Sequence, residues 1–529
     1  MPLKGRVKLY FRYIFITIIL SLFYSYCYAD QENKDLNKDI EVIVVSTNQK
    51  ISKSEGIDRY QNYSEDYIDI SSAKNETNNF QIILRTKKSI KDVKLTAHFT
   101  RVALSKSIDF FPFSIEYKKV LQKDATREWP DILRPIGAVH LVPNINNVIW
   151  GQLSIQETIS AGAYNGELLI EKHDSVLKRV PIRIKVFDFQ LPAESDLQIL
   201  AKIKYVKKIK DVKKLVKNLK FHGINGLTGY PFPKRIDAGS SNEDLLKFIF
   251  DELNYKYTRI PNAYIGHHRL KANRWGDQEI FHNNELAEGF KRKYIDVLQS
   301  SMTIYSQYGW QDKVQIKLFD EPADKYFPKI QKLYKLAKDH LSHIPSEISR
   351  APYQRYKGII DIWNFHPKYY DAHTIRDIQR SNGKVTLYHN DFHQVNQTSN
   401  TMRLIPWILW KYSFDGYYFY AVNDWKAGNI QEEANLKNHY FNGILVYQDN
   451  NGLLLNSIRM EQFKRGMEDY KYLMLIKDKM MHSTNKKLKH KVETHLDEVM
   501  TQFDIKGFTR AQLNFDGIKR MLGEYIEQL

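Results

Sequence analysis

The chain has 529 residues, too many for one ordinary domain, and 43% of them are hydrophobic, which is enough for more than one core. Its single cysteine, Cys27, cannot form an internal disulfide. The formal net charge of +18 favours anionic partners. The densest run of lysines, at 202–220, also carries an apolar stripe at helical spacing, so we interpret it as the solvated face of a helix rather than a nucleic-acid site.

The N-terminus has the features of a signal peptide. Four bases within residues 4–12 precede an apolar run at 13–24, which is shorter than the roughly 20 residues of a membrane-spanning helix. We expect cleavage after Ala29, so that residues 1–29 are removed and the mature chain reaches the periplasm or the extracellular space. Cleavage would leave no cysteine, which excludes a thiolate metal site and a cysteine nucleophile. Export argues against a nucleic-acid partner. An uncleaved membrane anchor is the alternative.

Residues 30–195 are predicted to form an N-terminal β-sandwich. Short strand-like runs recur between polar turns, at 42–45, 80–84, 93–99, 149–155, 168–170 and 180–187. Strands at this spacing are typical of two packed antiparallel sheets. Leu191-Pro192 closes the pattern, which places the domain boundary near residue 195.

Residues 196–452 alternate strand and helix signals, which predicts a (β/α)₈ barrel of the TIM type. The eight candidate strands lie at 198–205, 224–229, 260–266, 314–319, 346–351, 359–364, 384–390 and 415–422. The helical patterns between them lie at 209–221, 242–254, 286–308, 327–342, 372–380 and 399–411. Residues 453–529 are predicted to be helical. The chain is therefore predicted to be a multidomain α/β protein with a sandwich, a barrel and a C-terminal helical region.

Two adjacent carboxylates, Asp320 and Glu321, end the fourth candidate strand. An alternating apolar run at 313–319 precedes them, and Pro322 stops the strand because it has no amide proton. The C-terminal end of a barrel strand is where the catalytic groups of this fold lie. We therefore predict a glycoside hydrolase that uses Asp320 and Glu321. The alternative is an acid that caps the following helix and has no catalytic role.

Neighbouring carboxylates fit one type of glycosidic cleavage better than the others. In the ordinary schemes the two acids lie across the scissile bond from each other, which neighbours in sequence fit poorly. They fit substrate assistance better, in which the 2-acetamido oxygen attacks the anomeric carbon while one carboxylate steadies the forming oxazolinium ion. The charge of one acid is then expected to raise the pKa of the other, which stays protonated as the general acid.

Polar and aromatic residues concentrate at the strand ends, where the apolar ring face and the hydroxyl groups of a sugar would find partners. The candidate substrate-binding residues are Trp275, His268, Trp363, Asn364, Tyr388, Tyr420, Asn423 and Trp425. Singly, each could be a barrel-packing residue. His389-x-Asp391-x-His393 could ligate a metal, but such a polar loop needs none, and we predict neither a metal nor another cofactor.

Several motifs resemble those of glycoside hydrolase family 123, the β-N-acetylgalactosaminidases, and of related bacterial proteins of unassigned function. The resemblance covers most of the mature chain. Its motifs are Asn75-Glu76 with Phe80-Gln81, Trp129-Pro130-Asp131-Ile-Leu-Arg-Pro135, Ala161-Gly162-Ala-Tyr164-x-Gly166, Phe319-Asp320-Glu321-Pro322, Pro406-Trp407-x-x-Trp410-Lys411 with Asp415-Gly416, Leu445-Val-Tyr447, Ser457-Ile-Arg459-Met-Glu461 and Arg465-Gly466-Met-Glu468-Asp469-Tyr470-x-Tyr472-Leu473.

The resemblance implies a sandwich, a catalytic barrel and a helical tail, with a retaining, substrate-assisted mechanism that uses no metal. It implies that Asp320 orients the acetamido group and that Glu321 is the acid/base, acting on a glycan with a terminal β-linked N-acetylhexosamine. Tyr388 is our candidate partner for the acetamido carbonyl, by its strand position. The sequence departs from its relatives at 448–452, where they tend to carry Pro-Gly, and in a His- and Asn-rich loop at 267–285. The sugar and its linkage therefore stay open.

Three functions are compatible with the sequence. The first is a secreted, retaining, exo-acting β-N-acetylgalactosaminidase. The second is a hydrolase of the same fold that acts on a capsular or envelope polysaccharide, in which case the basic surface would serve an anionic polymer. The third is a glycan-binding protein without activity, although a binding module has no need of a general acid.

Overall fold

We describe the protein from a computed structural model. The described residues are 39–61, 64–100, 107–122, 125–173, 175–204, 206, 208–229, 240–350, 353–425, 443–505 and 513–529. The predicted signal peptide, residues 1–29, lies outside them. Within the described residues the chain divides into two compact units, the first comprising 39–116, 133–191 and 516–527 and the second comprising 117–132, 192–515 and 528–529. The domain boundaries that we placed near residues 195 and 452 stay predictions.

In the described residues up to 190, the first two sheets are built from eleven strands. They are β1 (Ile40–Val45), β2 (Ser64–Glu65), β3 (Ile68–Lys74), β4 (Glu76–Thr86), β5 (Ile90–Phe99), β6 (Ile108–Gln122), β7 (Ala125–Pro135), β8 (Val139–Leu141), β9 (Asn147–Ile155), β10 (Gly162–Lys172) and β11 (Ser175–Gln190). One sheet has the order β2-β1-β4-β9-β6-β7 and the other the order β3-β11-β10-β5-β8. A short helix, α1 (Asp58–Gln61), lies between β1 and β2.

Alternate residues of the two sheets form one buried core. Ile82 and Leu84 from β4 belong to the same apolar cluster as Leu168 and Ile170 from β10. Residues two apart in a strand point to the same face of the sheet, so this alternation places apolar residues of both sheets in one layer between them. The predicted β-sandwich is confirmed.

The described part of the second unit contains fourteen further strands. They are β12 (Gln198–Ile203), β13 (Gly226–Gly229), β14 (Tyr257–Arg259), β15 (Arg274–Trp275), β16 (Gln278–Glu279), β17 (Phe281–His282), β18 (Glu285–Leu286), β19 (Val314–Lys317), β20 (Ser346–Ser349), β21 (Ile362–Phe365), β22 (Lys384–Leu387), β23 (Gly416–Phe419), β24 (Val446–Gln448) and β25 (Leu454–Asn456). Eight of them close into a parallel barrel in the order β12-β13-β14-β19-β20-β21-β22-β23, which confirms the predicted barrel.

Eleven more α-helices follow within the described residues. They are α2 (Ile209–Phe221), α3 (Ser241–Lys247), α4 (Gly266–Ala272), α5 (Glu288–Gln307), α6 (Phe327–His340), α7 (Tyr353–Tyr356), α8 (Ala372–Arg380), α9 (Thr401–Lys411), α10 (Ile458–His482), α11 (Lys486–Thr501) and α12 (Phe515–Gln528). Among the described residues, no helix is both long and apolar enough to cross a bilayer. The predicted C-terminal helical region is confirmed.

The last helix, α12, has most of its residues in the first unit. Its buried Lys519 is 2.5 Å from Glu76 Oε1 and also donates to the side-chain oxygen of Asn78. A methyl group at Gly523 would lie 2.2 Å from a ring carbon of Phe187, so only glycine permits this close packing. A buried lysine needs such a partner, because an unpaired buried charge is costly.

The third barrel strand differs from the prediction. The structure places it at Tyr257–Arg259, not at 260–266. The apolar residues Ile260, Ala263 and Ile265 are buried. The amide of Ile260 still donates to the Gln315 carbonyl of β19 at 3.0 Å, but the strand ends there, and the amide of Ile265 donates to the Leu318 carbonyl just past β19 at 3.0 Å. The prediction was wrong because burial without strand pairing produces the same apolar run as a strand.

Polar side chains of the barrel strands meet inside the barrel. Gln198 of β12 donates to Gln315 of β19 at 3.0 Å, and Lys317, two residues further along β19, donates to Ser349 of β20 at 2.6 Å. Because residues two apart share a face, Gln315 and Lys317 both point inward while their apolar neighbours point to the helices. The interior therefore becomes charged toward the C-terminal ends of the strands.

Candidate active site

The acid pair lies at the C-terminal end of β19. The side chains of Asp320 and Glu321 are 51% and 41% exposed. Glu321 has a φ of +44°, a left-handed conformation that costs free energy for a residue with a side chain and is common at functional sites. Nε2 of His267 is 3.0 Å from the carbonyl oxygen of Asp320 and 3.1 Å from that of Glu321, so the imidazole donates to the turn and supports it.

Asp320 is held in its charged form by a buried lysine. Lys317 Nζ is 2.8 Å from Asp320 Oδ1, and the lysine side chain is only 5% exposed. Burial raises the pKa of Asp320, but the charge and hydrogen bond of Lys317, helped by Ser349 and Arg259, outweigh burial and lower the pKa to about 2. Asp320 is therefore the ionised member of the pair, and the expectation that its neighbour stays protonated as the general acid stays a prediction.

The ion pair continues into the barrel as a chain of alternating charges. Lys317 Nζ is 3.7 Å from Glu347 Oε1, and Glu347 is 2% exposed. Arg259 binds Glu347 in a bidentate manner, with Nε 2.7 Å from Oε2 and Nη2 2.5 Å from Oε1. Asn364 also donates to Glu347. A bidentate pair fixes the position of the carboxylate as well as its charge. Because Glu347 is fixed and attracts Lys317, the lysine has little freedom to move away from Asp320.

Glu321 has its own partners. The hydroxyl of Tyr388, just past β22, donates to Glu321 Oε1, and Arg350 Nη1 lies 3.5 Å from Glu321 Oε2. Arg350 also has a left-handed backbone, with a φ of +49°, and its guanidinium lies 4.8 Å from the ring centroid of Tyr369. Burial and the nearby Glu321 raise the pKa of Tyr388, so it stays a neutral donor.

Two neutral imidazoles adjoin the acid pair. The rings of His366 and His389 are 4.4 Å apart between centroids, and His366 is 5.6 Å from the ring of Tyr388. Burial lowers the pKa of both, and the neighbouring His366 helps to lower that of His389 to about 4. These rings therefore carry no charge near neutral pH and present polar, uncharged groups beside Glu321.

Comparison with known protein families identifies this domain. Residues 255–476 match the family model described as glycoside hydrolase 123, catalytic domain. Residues 255–476 form a glycoside hydrolase family 123 catalytic domain. The family predicted from the sequence motifs is confirmed. Among proteins of curated function, none matches the chain by sequence.

The fold is similar to that of a family 123 glycoside hydrolase from Clostridium perfringens, whose structural analysis concerned glycolipid glycan hydrolysis. The two are 13% identical, with a TM-score of 0.67 over 92% of this chain and 97% of that one. A family 39 glycoside hydrolase from Bacteroides cellulosilyticus matches less well, with 9% identity and a TM-score of 0.35 over 76% of this chain and 82% of that one. At these identities the likeness to the Clostridium enzyme shows a shared fold.

The structure brings some predicted site residues of the family 123 domain together. Asp320, Glu321 and Tyr388 are in one cluster, and Tyr420 is 39% exposed just past the end of β23. Two other candidates lie on other elements. His268 is exposed on α4, and the ring of Trp275 packs edge-on against Phe290 and Tyr294.

Four more candidates serve the scaffold of the domain. Trp363 is buried against Tyr353, and Asn364 is buried on Glu347. Asn423 is buried and accepts from the amide of Lys204, and Trp425 donates from its indole to a backbone carbonyl of β24. The hydrogen-bonding groups of Asn364, Asn423 and Trp425 are thus used within the chain. The substrate-binding roles that we assigned to the eight candidates stay predictions.

The possible metal motif does not assemble. His393 is buried, with Nε2 2.8 Å from the hydroxyl of Tyr417, which draws it into the barrel wall. In the described part of the chain, no three His, Cys, Asp or Glu side chains converge as metal ligands would.

Sequence reasoning missed the groups that surround the acids: Arg259, Lys317, Glu347, Ser349, Arg350, His366 and His389. The alternation in 313–319 was a usable signal, since it places Lys317 on the same face as Gln315. The partners on other strands were beyond reach, because their contact depends on barrel register.

Proposed function

We propose that this family 123 domain is a retaining, exo-acting β-N-acetylgalactosaminidase that uses substrate assistance, and that the protein is exported. One observation carries the proposal: Asp320 is held ionised by buried Lys317 directly beside Glu321 at the catalytic end of the barrel. A permanent anion next to a general acid is the combination that substrate assistance requires. The motifs shared with family 123 support the choice of N-acetylgalactosamine.

In the proposed reaction the 2-acetamido carbonyl oxygen attacks the anomeric carbon while Glu321, entering in its protonated form, donates its proton to the departing glycosidic oxygen. Asp320 accepts the acetamido N–H and stabilises the positive charge of the oxazolinium ion. Glu321 then takes a proton from the water that opens this intermediate. Two inversions at the same carbon give net retention. No covalent bond to the protein is formed.

Tyr388 is the proposed partner of the acetamido carbonyl. Its hydroxyl donates to Glu321 in this structure, so it lies within reach of the sugar's reacting end. Its pKa is raised by burial and Glu321, which keeps the proton on the phenol as a donor. The neutral rings of His366 and His389 complete the wall on this side without adding a charge that would compete with Asp320.

The test is the release of nitrophenol from 4-nitrophenyl N-acetyl-β-galactosaminide and from its glucosaminide counterpart, with a thiazoline mimic of the oxazoline as inhibitor. We expect turnover of the galacto compound and inhibition by the thiazoline. Glu321→Gln and Asp320→Asn should each lower kcat/KM by about 10²-fold or more, since they remove a proton donor and a stabilising charge.

Asp324→Asn is the matched control, because Asp324 is an exposed carboxylate four residues from Asp320. It should leave kcat/KM unchanged. Full activity in Glu321→Gln with the fold intact would contradict the assignment. Calorimetric binding of N-acetylgalactosamine with no turnover of either compound would point instead to a glycan-binding protein without activity.

A further inference from the structure

Lys202 and Tyr420 lie side by side at the mouth of the barrel. Their strands, β12 and β23, are parallel neighbours in which Ala201 pairs with Phe419, so the next residue of each strand comes into the same row. Lys202 shares a face with Gln198, which points into the barrel. The ammonium group of Lys202 is 5.1 Å from the ring centroid of Tyr420. The strand register and the contact with Tyr420 therefore both place the side chain of Lys202 at the catalytic end of the barrel.

Tyr420 also holds a second lysine. Lys204 Nζ is 4.7 Å from the ring centroid of Tyr420 and 3.2 Å from its hydroxyl oxygen. Lys204 is 3.6 Å from Asp424 Oδ2 as well. Burial opposes its charge, but Tyr420 and Asp424 raise the pKa of Lys204 overall, so it remains an ammonium ion. Two cations are thus fixed around one half-exposed ring.

On this side of the mouth the positive charges outnumber the negative ones. Lys317 pairs with Asp320, Arg259 pairs with Glu347, and Lys204 pairs with Asp424. Within the described residues, Lys202 contacts the Tyr420 ring and has no carboxylate at ion-pair distance. The excess positive charge therefore lies on Lys202, at the surface of the site rather than in the buried chain of ion pairs.

Tyr418, two residues before Tyr420, lies in the same positive electrostatic potential. Burial alone raises the pKa of a phenol, yet the pKa of Tyr418 is lowered, because Arg259, Lys317 and Lys202 together outweigh burial. The guanidinium of Arg259 is 4.3 Å from the ring centroid of Tyr418, and the ammonium of Lys317 is 5.3 Å from it. An anion would be stabilised in this half of the mouth.

We propose that Lys202, placed by Tyr420, binds an anionic group of the glycan, either a sulfate ester or a uronic acid carboxylate. The inference rests on the proposed function, since it assumes that the sugar occupies the barrel mouth. If Lys202 served only to pack on Tyr420, its position on the inward face of β12 would have no purpose. The substrate class is accordingly an acidic N-acetylhexosamine glycan rather than a neutral one.

The test measures binding separately from turnover. The whole chain is titrated calorimetrically with N-acetylgalactosamine, its 6-sulfate, and the disaccharide in which it is β-linked to glucuronic acid. We expect one acidic sugar to bind at least about tenfold more tightly than the neutral one, the size typical of hydrogen bonds to a charged group. Raised ionic strength should shrink this preference. The acidic sugar that is preferred identifies sulfate or carboxylate as the anion.

Variants of Lys202 test whether this residue causes the preference for the acidic sugar. Lys202→Met should reduce it to about twofold or less, and Lys202→Arg, which keeps the charge, should retain most of it. Lys213→Met is the matched control, because Lys213 makes a similar contact, 4.7 Å from the Phe248 ring, on α2. Equal binding of neutral and acidic sugars, no binding of any sugar, or an unchanged preference in Lys202→Met would overturn the inference.

Failure of this inference and failure of the proposed function are distinguishable. Hydrolysis of 4-nitrophenyl N-acetyl-β-galactosaminide without any anion preference in the titrations leaves the proposed function standing and overturns the acidic subsite. Lys202-dependent binding of an acidic sugar without hydrolysis leaves the acidic subsite standing and overturns the proposed function.

Discussion

Lys317 and Asp320 are three residues apart, and their ion pair is the contact on which the proposed chemistry depends most. The two groups are 2.8 Å apart, and the lysine is almost fully enclosed. Besides Lys317, the groups that act on Asp320 are Ser349 and Arg259, with Tyr264 and Tyr388 also near. Lys317 is therefore a positioning residue that acts through Asp320 and has no contact of its own with substrate in the proposed reaction.

Lys317→Met should move the acid side of the kcat/KM profile to higher pH. In the native protein the pKa of Asp320 is lowered to about 2, so Asp320 stays ionised through the whole working range. Without the lysine, burial is opposed only weakly and the pKa rises toward or beyond its ordinary value of about 4. Activity would then be lost as the pH falls through that higher value. Initial rates with the nitrophenyl substrate between pH 3 and pH 8, roughly the span of these pKa values, measure the shift.

Two further variants make this prediction specific. Lys317→Arg keeps the charge and should restore most of the native profile. Lys338→Met removes an ion pair of equal length, 2.8 Å to Asp361, at the opposite end of the barrel strands, and should not shift the profile. An unshifted acid limb in Lys317→Met, with the protein folded, would refute the positioning role.

At this scale the sequence predicted the acids but not the turn that presents them. Asp320 and Glu321 stood out because Pro322 stops an alternating strand. The left-handed backbone of Glu321 and Arg350 gives no sequence signal, because neither residue type favours it. Such conformations are imposed by the surrounding fold.

The contact between α9 and α10 explains the motif that begins at Arg465-Gly466. A methyl group at Gly466 would lie 2.3 Å from the carbonyl oxygen of Arg403, so the two helices approach as closely as glycine allows. Buried Arg403 binds Asp469 through two nitrogens, at 2.7 and 2.9 Å, and Trp407 donates to the same carboxylate at 3.1 Å. The Gly-Met-Glu-Asp segment is therefore a packing motif in this structure.

A second buried pair connects three family motifs. Asp131 accepts from Arg459 Nε and Nη2 at 2.8 and 2.7 Å, and from the hydroxyl of Tyr447 at 2.5 Å. Asp131→Ala should lower the free energy of unfolding of the second unit by about 3–5 kcal/mol, because the arginine would stay buried without its counter-charge. The midpoint of urea unfolding, followed by tryptophan fluorescence, measures the loss.

Glu285→Ala provides the comparison for Asp131. Glu285 is 77% exposed in its pair with Lys332, and exposed pairs contribute little to stability. Its midpoint should match that of the native protein. If Asp131→Ala shifts the midpoint no more than Glu285→Ala does, the buried pair is not a source of stability.

Elements were predicted well where helical or alternating patterns were long. The helices at 209–221 and 372–380 begin and end as predicted. The third barrel strand was misplaced because three residues of strand carry too little pattern against the longer apolar run at 260–266. The two small hairpins of β15–β18 were missed for the same reason.

For the whole molecule, the basic and apolar residues at 4–24 predict export. We predict that the protein recovered from the periplasm or the medium begins at Asp30, because cleavage is expected after Ala29. Mass spectrometry of the intact secreted protein, with a leaderless form as the cytoplasmic control, checks this. A full-length protein that sediments with membranes would support the anchor instead.

Fold class was predictable because it depends on the count and order of elements. Eight strand signals with helices between most of them left few options other than a barrel. Contacts between residues far apart in the sequence could not be predicted. Nothing in the local pattern of 515–528 indicates that this helix supplies a buried lysine to residues near the start of the sandwich.

That lysine has a consequence for biosynthesis. Glu76 and Lys519 are separated by 443 residues, so at about 5–20 residues per second a ribosome takes roughly 20–90 s to supply the partner of an already translated carboxylate. The strands of the sandwich are translated first, but the helix that completes it is translated last. During that interval its sheets lack the helix that packs on Phe187 and neutralises Glu76. Chain order thus delays completion of this buried pair until the end of synthesis, which is compatible with the predicted export, because an exported chain stays unfolded until it has passed through a translocon.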